Sequence, residues 1–129
     1  MAKLQVIADT SFLMIPGLFG VDVISELDRL LEGRYTLVIP VPVIEELKGL
    51  ASHGKPMERS AARLGLALAA RGKKVMTRGP ADEAILNLAG ESCAVGTTDS
   101  ALRKEIRSRG VSVIYLRGKS HLAVNGRIG

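Results

Sequence analysis

The sequence is poor in the residues that build disulfide frameworks and aromatic binding platforms. Its 129 residues include one cysteine, no tryptophan, two tyrosines and two phenylalanines. A single cysteine, Cys93, excludes an intramolecular disulfide and a thiolate zinc cluster. No apolar run reaches the ~20 residues that a membrane-spanning helix requires, and no signal-peptide pattern is present. We therefore expect a cytoplasmic protein that does not enter a membrane.

Aliphatic residues and positive charge, in contrast, are plentiful. Hydrophobic residues make up 47% of the chain although aromatic residues make up only 3%, so leucine, isoleucine, valine and alanine must fill the core. The length suits one domain with a single core. The net charge of +5 and a pI of about 9.7 favour a polyanionic partner such as a nucleic acid.

The apolar segments alternate between strand-like and helix-like patterns. Strands are predicted at 4–8, 35–39, 73–77, 93–97 and 111–116, and helices at 21–31, 40–50, 57–71, 80–89 and 99–109. This alternation predicts an α/β protein with three layers, α/β/α, around a mainly parallel central sheet of about five strands. We expect one domain over residues 1–117, followed by a basic, loosely ordered tail over 118–129.

Four acids from distant parts of the chain are predicted to lie at one edge of this sheet. Asp9 and Asp99 follow predicted strands, whereas Glu46 and Asp82 lie early in predicted helices. Ligands gather at the carboxyl ends of strands in open parallel sheets. Each acid also has a structural explanation, as a helix cap or as a favourable charge in a first helical turn. Capping, however, does not require that the caps share one edge.

Carboxylates that converge in this way favour a bound cation. They repel one another, and at least one pKa should rise unless a cation intervenes. Mg²⁺ and Mn²⁺ suit oxygen ligands. Two such ions ~4 Å apart would activate a water and stabilise the leaving oxygen of a phosphodiester. The acids therefore predict metal-dependent hydrolysis of a polyanion.

Four short segments carry a family resemblance. "ADTSFL", "VIEEL", "ADEAIL" and "TTDSALR" resemble, in order and spacing, the four acidic motifs of the PIN-domain (PilT N-terminus) ribonucleases. The resemblance covers the chain from Leu4 to about Leu116 and is greatest to the ribosomal RNA-processing PIN proteins and their archaeal relatives. It implies a PIN-like nuclease domain and a Mg²⁺- or Mn²⁺-dependent endoribonuclease. Such an enzyme cuts single-stranded or flexible RNA, leaves a 5′-phosphate, and acts in ribosomal RNA processing or as a toxin.

The resemblance also implies roles for individual residues. The catalytic and metal-binding acids would be Asp9, Glu46, Asp82 and Asp99, and the supporting residues would be Ser11, Thr97, Glu45 and Glu83. Glu46 matches its motif better than Glu45 because it precedes the motif's leucine. Ser11 matches a hydroxyl position that supports a metal-bound water or the scissile phosphate.

Basic residues near these motifs are candidates for contacts with RNA phosphates. They are Arg78, Arg103, Lys104 and Arg107, and Arg117, Lys119 and Arg127 would extend the same surface. Phosphate contacts of this kind give affinity that is independent of sequence and sensitive to salt. The alternative is a solvated helix face. Expected partners are the RNA substrate, a second copy of the chain, and an antitoxin or a ribosome-assembly protein.

Two other classes of function stay open at the level of sequence. A PIN-like fold can serve ribosome assembly as a binding module for RNA or protein that does not cut. A receiver-like phosphoacceptor domain also places acids at strand ends, but it requires an adjacent pair of acids after the first strand. "ADTS" supplies only one acid. No glycine-rich phosphate loop is present, which excludes nucleotide hydrolases of the P-loop type.

Overall fold

A six-stranded sheet flanked by helices forms the centre of the molecule. The computed structural model describes residues 3–128. The strands are β1 (Leu4–Ala8), β2 (Tyr35–Pro40), β3 (Lys73–Val75), β4 (Cys93–Gly96), β5 (Ser112–Arg117) and β6 (His121–Asn125). The helices are α1 (Thr10–Leu13), α2 (Ile15–Phe19), α3 (Val23–Leu31), α4 (Val41–His53), α5 (Pro56–Ala69), α6 (Ala81–Leu88) and α7 (Ser100–Ser108).

The strand order places the carboxyl ends of five strands at one edge of the sheet. The order is β3-β2-β1-β4-β5-β6; the first five strands are parallel and β6 is antiparallel to β5. Because β1 pairs with both β2 and β4, the order reverses at β1. Such a reversal opens a crevice in which ligands bind in doubly wound sheets. The end of β1 and the end of β4 flank this crevice.

Apolar residues at the spacing of each element explain the packing. Val6, Ile7 and Ala8 of β1 are all buried, as expected for a central parallel strand covered on both faces. In α7, Leu102 and Ile106 are buried four residues apart, which is one face of a helix.

Close packing at Gly96 fixes the end of β4 against the start of α1. A Cβ atom at this position would lie 2.8 Å from three atoms of the Phe12 ring. The Asp9 N–H also donates to the Gly96 carbonyl, at 3.0 Å. A side chain at residue 96 would therefore displace the segment that carries Asp9.

The segment after Gly118 is not the loosely ordered tail that the sequence analysis predicts. Residues His121–Asn125 form β6, so the sheet has six strands rather than about five. Gly118 and Lys119 both have positive φ, and the Ser120 N–H donates to the Arg117 carbonyl at 3.2 Å. Two central residues with positive φ are typical of the tight turn that joins hairpin strands.

Other differences from the sequence analysis are local. The helices α1 and α2 were not predicted, β3 ends at Val75 rather than at residue 77, and α4 continues to His53. Among the helices described, none combines the length and the apolar character needed to cross a bilayer.

Candidate active site

The four predicted acids are carried to one edge of the sheet by four different elements. Asp9 follows β1, and Asp99 follows β4. Glu46 lies in α4, which leaves the end of β2, and Asp82 lies in the first turn of α6. We call these four residues the acidic edge.

Asp9 is the buried member of the acidic edge. Asp9 is only 6% exposed. Its Oδ1 accepts hydrogen bonds from the Ser11 hydroxyl at 2.6 Å and the Phe12 N–H at 2.9 Å. Its Oδ2 accepts from the Thr97 hydroxyl. Burial raises the pKa of Asp9 most, and the Asp82 charge raises it further, against the lowering effect of Ser11, Thr97 and Phe12. The net result is a pKa above the usual value.

Two hydroxyl groups connect the end of β1 to the end of β4. The Thr97 hydroxyl accepts from the Asp99 N–H at 3.0 Å, so its one proton is free to go to Asp9. Ser11 repeats this pattern, because its oxygen accepts from the Thr98 N–H at 3.0 Å while it donates to Asp9. The orientation of the Asp9 carboxylate is therefore tied to the backbone on both sides of Thr98.

Asp99 caps α7 with one of its two carboxylate oxygens. Its Oδ1 accepts from the Ala101 N–H at 2.8 Å and the Leu102 N–H at 3.3 Å. Within the described part of the chain, no hydrogen bond to Oδ2 is formed. Asp99 is exposed, so the second oxygen is available to a ligand although the residue is a helix cap.

Glu46 and Asp82 face each other across an open cleft of about 730 Å³. The cleft is lined by Val41, Pro42, Glu45, Glu46, Gly79, Pro80, Ala81 and Asp82. The pKa of Glu46 is raised, first by partial burial of its carboxylate and then by the charges of Asp82 and Asp9. Glu46, Asp82 and Asp9 are therefore close enough to repel one another.

The two supporting acids, Glu45 and Glu83, differ in their surroundings. Glu45 lines the same cleft, and its Oε1 lies 3.7 Å from the Lys48 Nζ with both side chains well exposed. Glu83 turns towards the preceding loop, since a Cβ atom at Gly79 would lie 3.0 Å from its Oε2. The charges of Asp82 and Asp9 raise the pKa of Glu46, which favours Glu46 as the acid of this motif.

The sequence and the fold both relate the chain to known proteins. A sequence model of the PIN-like domain matches residues 6–119. The chain belongs to the PIN-like domain family. The domain includes the whole acidic edge, whereas β6 lies beyond the matched residues.

Individual relatives of this PIN domain include a nuclease. Ribonuclease VapC4 of Methanocaldococcus jannaschii is 31% identical over 129 residues, which cover 96% of this chain and 98% of the relative. The solved structure of the PIN domain endonuclease Utp24 has a TM-score of 0.76 at 21% identity, covering 96% of this chain and 92% of that one. A domain of a protein of unknown function from M. jannaschii has a TM-score of 0.54 at 19% identity, with 98% and 96% covered. The two structures show that the fold is shared, and the ribonuclease relative supports a nuclease function in general terms.

The basic residues predicted to bind RNA do not all lie near the acidic edge of the PIN domain. Arg78 is exposed in the loop before α6, and Lys104 is exposed in the middle of α7. The Arg103 guanidinium lies over the Tyr115 ring, 3.8 Å from its centroid. Arg107 instead donates to the Val111 carbonyl at 3.2 Å. Val111 precedes the start of β5, so this contact lies at the amino ends of the parallel strands, away from the acidic edge.

Sequence reasoning missed two residues that lie against predicted ones. Tyr115 has no motif of its own and is found only because Arg103 covers it. The Thr10 hydroxyl is buried and makes no hydrogen bond of standard geometry in the described part of the chain. It is nevertheless close enough to Glu46 to lower the pKa of that residue. The only signal in the sequence is its position directly after Asp9.

The donor set of the PIN domain suits a hard divalent cation. It consists of carboxylate and hydroxyl oxygens, which Mg²⁺ and Mn²⁺ prefer, and Thr10 adds a buried hydroxyl oxygen that makes no hydrogen bond of standard geometry in residues 3–128. In those residues, no three His, Cys, Asp or Glu side chains are grouped closely enough to hold one ion between them. Mg²⁺ requires only one or two carboxylates because it keeps several of its waters. The residues therefore fit such an ion held partly through water.

Proposed function

We propose that the chain is a divalent-metal-dependent endoribonuclease that hydrolyses phosphodiester bonds of single-stranded or flexible RNA. One observation supports this proposal most strongly: three acids from separate elements lie together at the crevice beside β1, where Asp82 raises the pKa of both Asp9 and Glu46. A protein with a net charge of +5 gains nothing in stability from such repulsion. The cluster of acids is explained if bound cations neutralise it and act on a polyanionic substrate.

Mg²⁺ or Mn²⁺ would be held by Asp9, Glu46, Asp82 and Asp99, in part through water. When bound, the ions supply an activated water and stabilise the leaving oxygen. Ser11 and Thr97 fix the orientation of the Asp9 carboxylate through their hydroxyl protons. Hydrolysis by water with departure of the 3′ oxygen leaves a 5′-phosphate on the downstream fragment.

Cleavage of a flexible RNA, with and without EDTA, tests this proposal. Asp99→Asn is the decisive variant because asparagine caps a helix about as well as aspartate does but lacks the charge. Asp22→Asn is the matched control, since Asp22 caps α3 through the Ser25 N–H at 3.1 Å and does not belong to the acidic edge. We expect Asp99→Asn to lose at least about a hundredfold in rate and Asp22→Asn to keep its activity. Cleavage that persists in EDTA, or equally in Asp9→Asn and Asp99→Asn, would refute the proposal.

A binding module that does not cut RNA is the second candidate. The absence of a group of three metal-binding side chains within residues 3–128 favours it. Such a module would bind RNA equally well with and without metal and would show no cleavage in Mg²⁺ or Mn²⁺. Binding measured in EDTA beside cleavage in each metal therefore separates the two candidates.

The cellular role that we propose is ribosomal RNA processing or toxin activity. The two roles predict different targets. A processing enzyme acts on ribosomal precursors, whereas a toxin acts on messengers or transfer RNA and has an antitoxin partner. Sequencing of new 5′-phosphate ends after expression of the active protein and of Asp99→Asn distinguishes the roles.

A second copy of the chain is a further proposed partner. Leu18 and Phe19 of α2 and Met57 and Leu64 of α5 are exposed apolar side chains, and α2 packs against α5 through Gly17 and Ala61. Light scattering of the purified protein over a range of concentrations measures the oligomeric state.

A further inference from the structure

Arg103 and Tyr115 form a stacked pair in a chain that has only four aromatic residues. The Arg103 Cζ lies 3.8 Å from the centroid of the Tyr115 ring. Both residues are half-buried. A guanidinium at this distance over an aromatic face is held by attraction to the ring as well as by packing.

The pair lies directly beside the acidic edge. The Thr97 N–H donates to the Ile114 carbonyl at 3.1 Å, and Tyr115 is the next residue of β5. Arg103 is one helical turn from Asp99, because its N–H donates to the Asp99 carbonyl at 3.0 Å. Thr97 and Asp99 therefore adjoin the stacked pair through both β5 and α7.

The stacked arrangement leaves most of the binding capacity of Arg103 unused. Stacking employs one face of the guanidinium, whereas its five N–H groups point outward in its plane. Within residues 3–128, no carboxylate lies within 4.0 Å of this guanidinium. A planar cation that is held in place without an anionic partner is suited to a phosphate, and a guanidinium plane can also stack on a nucleobase.

We infer that Arg103 and Tyr115 form a subsite for one unpaired nucleotide next to the scissile phosphate, an inference that rests on the proposed nuclease function. Arg103 donates to the phosphate of this nucleotide. The base stacks on the Arg103 guanidinium, which is itself stacked on the Tyr115 ring. A base within a duplex is already stacked on its neighbours and cannot stack on this pair. The subsite thus gives the acidic edge a selectivity for single-stranded or flexible RNA.

Variants of the pair separate this role from a purely structural contact between α7 and β5. Tyr115→Leu removes the ring, Tyr115→Phe keeps it, and Arg103→Leu removes the guanidinium. Arg109→Leu is the matched control, because Arg109 lies just beyond the far end of α7 and its Nη2 is 3.2 Å from the Glu105 Oε1. Binding of a labelled single-stranded RNA and of its duplex is measured in EDTA, and kcat and KM are measured in Mg²⁺.

We expect Tyr115→Leu and Arg103→Leu to weaken single-strand binding by about fivefold or more and to raise KM in proportion, with little change in kcat. Tyr115→Phe and Arg109→Leu should remain within about twofold of the wild type. Tyr115→Leu should affect duplex binding less than single-strand binding, since only the unpaired base stacks. A contact that is only structural would change the melting temperature without this preference.

Wild-type binding and KM in both Tyr115→Leu and Arg103→Leu would overturn the inference, even if the protein cuts RNA. Weakened single-strand binding in a protein that never cuts RNA would instead retain the subsite and refute the nuclease. If Tyr115→Leu does not fold, as judged by circular dichroism, Arg103→Leu compared with Arg109→Leu decides the question.

Discussion

Asp9 is both the cap of a helix and the buried member of the acidic edge, and its carboxylate is able to serve both roles. Its side chain accepts three hydrogen bonds, from Ser11, Phe12 and Thr97. An ionised carboxylate offers about four lone-pair sites. One site thus remains for a ligand after the cap and the two hydroxyl bonds are made. At the residue scale, capping and metal binding are not competing explanations for Asp9.

Replacing Thr97 by valine should damage both stability and activity. Thr97→Val keeps the shape of the side chain but leaves the Asp9 Oδ2 and the Asp99 N–H without their shared partner. We expect the free energy of unfolding to fall by about 1–3 kcal/mol and RNA cleavage to decrease because Asp9 loses its orientation. Urea denaturation and a cleavage assay measure the two effects. Thr97→Ser retains the hydroxyl, and equal behaviour of the valine and serine variants would show that this hydroxyl does not orient Asp9.

Neutralising Asp82 should stabilise the metal-free protein near neutral pH. Asp82 raises the pKa of both Asp9 and Glu46. A raised pKa contributes stability that is present below the unfolded values, 3.8 for Asp9 and 4.5 for Glu46, and that is lost as pH rises through the folded pKa. Asp82→Asn should reduce this loss and gain up to about 1 kcal/mol, a gain that disappears at about pH 3 where carboxylates are protonated.

Thermal unfolding in EDTA at the two pH values measures this effect. Glu83→Gln is the control, since both residues lie in the first turn of α6 and lose the same favourable interaction with the helix dipole. A larger drop in melting temperature for Asp82→Asn than for Glu83→Gln at neutral pH would mean that Asp82 stabilises α6 and is not repelled by its neighbours.

At the scale of elements, the sequence predicts long periodic segments well and short ones poorly. The helix α7 differs from its predicted range of 99–109 by one residue at each end, because Asp99, Leu102 and Ile106 mark its cap and its buried face. The helices α1 and α2 have four and five residues, too few for a periodic pattern to appear. The strand β6 has only Leu122 as a fully buried residue, and its turn depends on a positive φ at Lys119, which no sequence rule favours.

In the candidate site too, residues within sequence motifs were predictable and residues defined by their contacts were not. The shared position of the four acids was predictable because each lies in a motif near a strand end or a helix start, whereas their role in metal binding stays a prediction. Thr10 and Tyr115 were not predictable, because their significance depends on contacts with Glu46 and Arg103, which are distant in sequence.

The attachment of β6 to α3 is a second feature that only the structure reveals. The Glu26 Oε1 accepts from the Leu122 N–H at 2.9 Å, and the Arg29 Nη2 donates to the Leu122 carbonyl at 3.0 Å. Glu26 and Arg29 also bind each other at 2.9 Å. The pair therefore occupies backbone groups on the outer side of an edge strand, which would otherwise be open to pairing with another chain.

Acid should weaken this attachment. The hydrogen bond from Arg29, followed by that from the Leu122 N–H, lowers the pKa of Glu26 from 4.5 to about 2. A lowered pKa contributes stability above the unfolded value of 4.5 that is lost as pH falls towards about 2. We expect Glu26→Gln to cost about 1 kcal/mol at neutral pH, since Arg29 is half exposed, and to cost less at the acidic end of this range.

Urea denaturation from neutral pH down to about pH 2 measures that difference. Glu105→Gln is the control, because Glu105 is exposed and also pairs with an arginine, Arg109, but does so at the surface of α7. A pH dependence of stability that is the same in Glu26→Gln and in the wild type would show that Glu26 does not hold β6 through its charge.

At the scale of the whole molecule, the candidate site and the chain carry charge of opposite sign. The chain carries a net charge of +5, yet the crevice at the reversal of the sheet is acidic. Repulsion between this crevice and a polyanion must be offset by cations in the crevice and by basic groups around it. Arg78, next to the cleft residue Gly79, and Lys104 in α7 are both exposed, whereas Arg107 is bound to the Val111 carbonyl at the amino ends of the parallel strands.

Salt should therefore weaken RNA binding through a small, identifiable set of residues. Each phosphate contact on a single strand contributes a slope of about −0.7 to the dependence of log K on log salt. Lys104→Ala and Arg78→Ala should each reduce the steepness of the slope by about this amount, whereas Arg109→Ala should leave it unchanged because Glu105 already neutralises Arg109. Dissociation constants for a labelled single strand, measured in EDTA over a series of NaCl concentrations, give the slopes. Each basic residue that binds a phosphate releases counter-ions whatever the sequence of the strand. A wild-type slope in both Lys104→Ala and Arg78→Ala would therefore place the phosphate contacts elsewhere on the molecule.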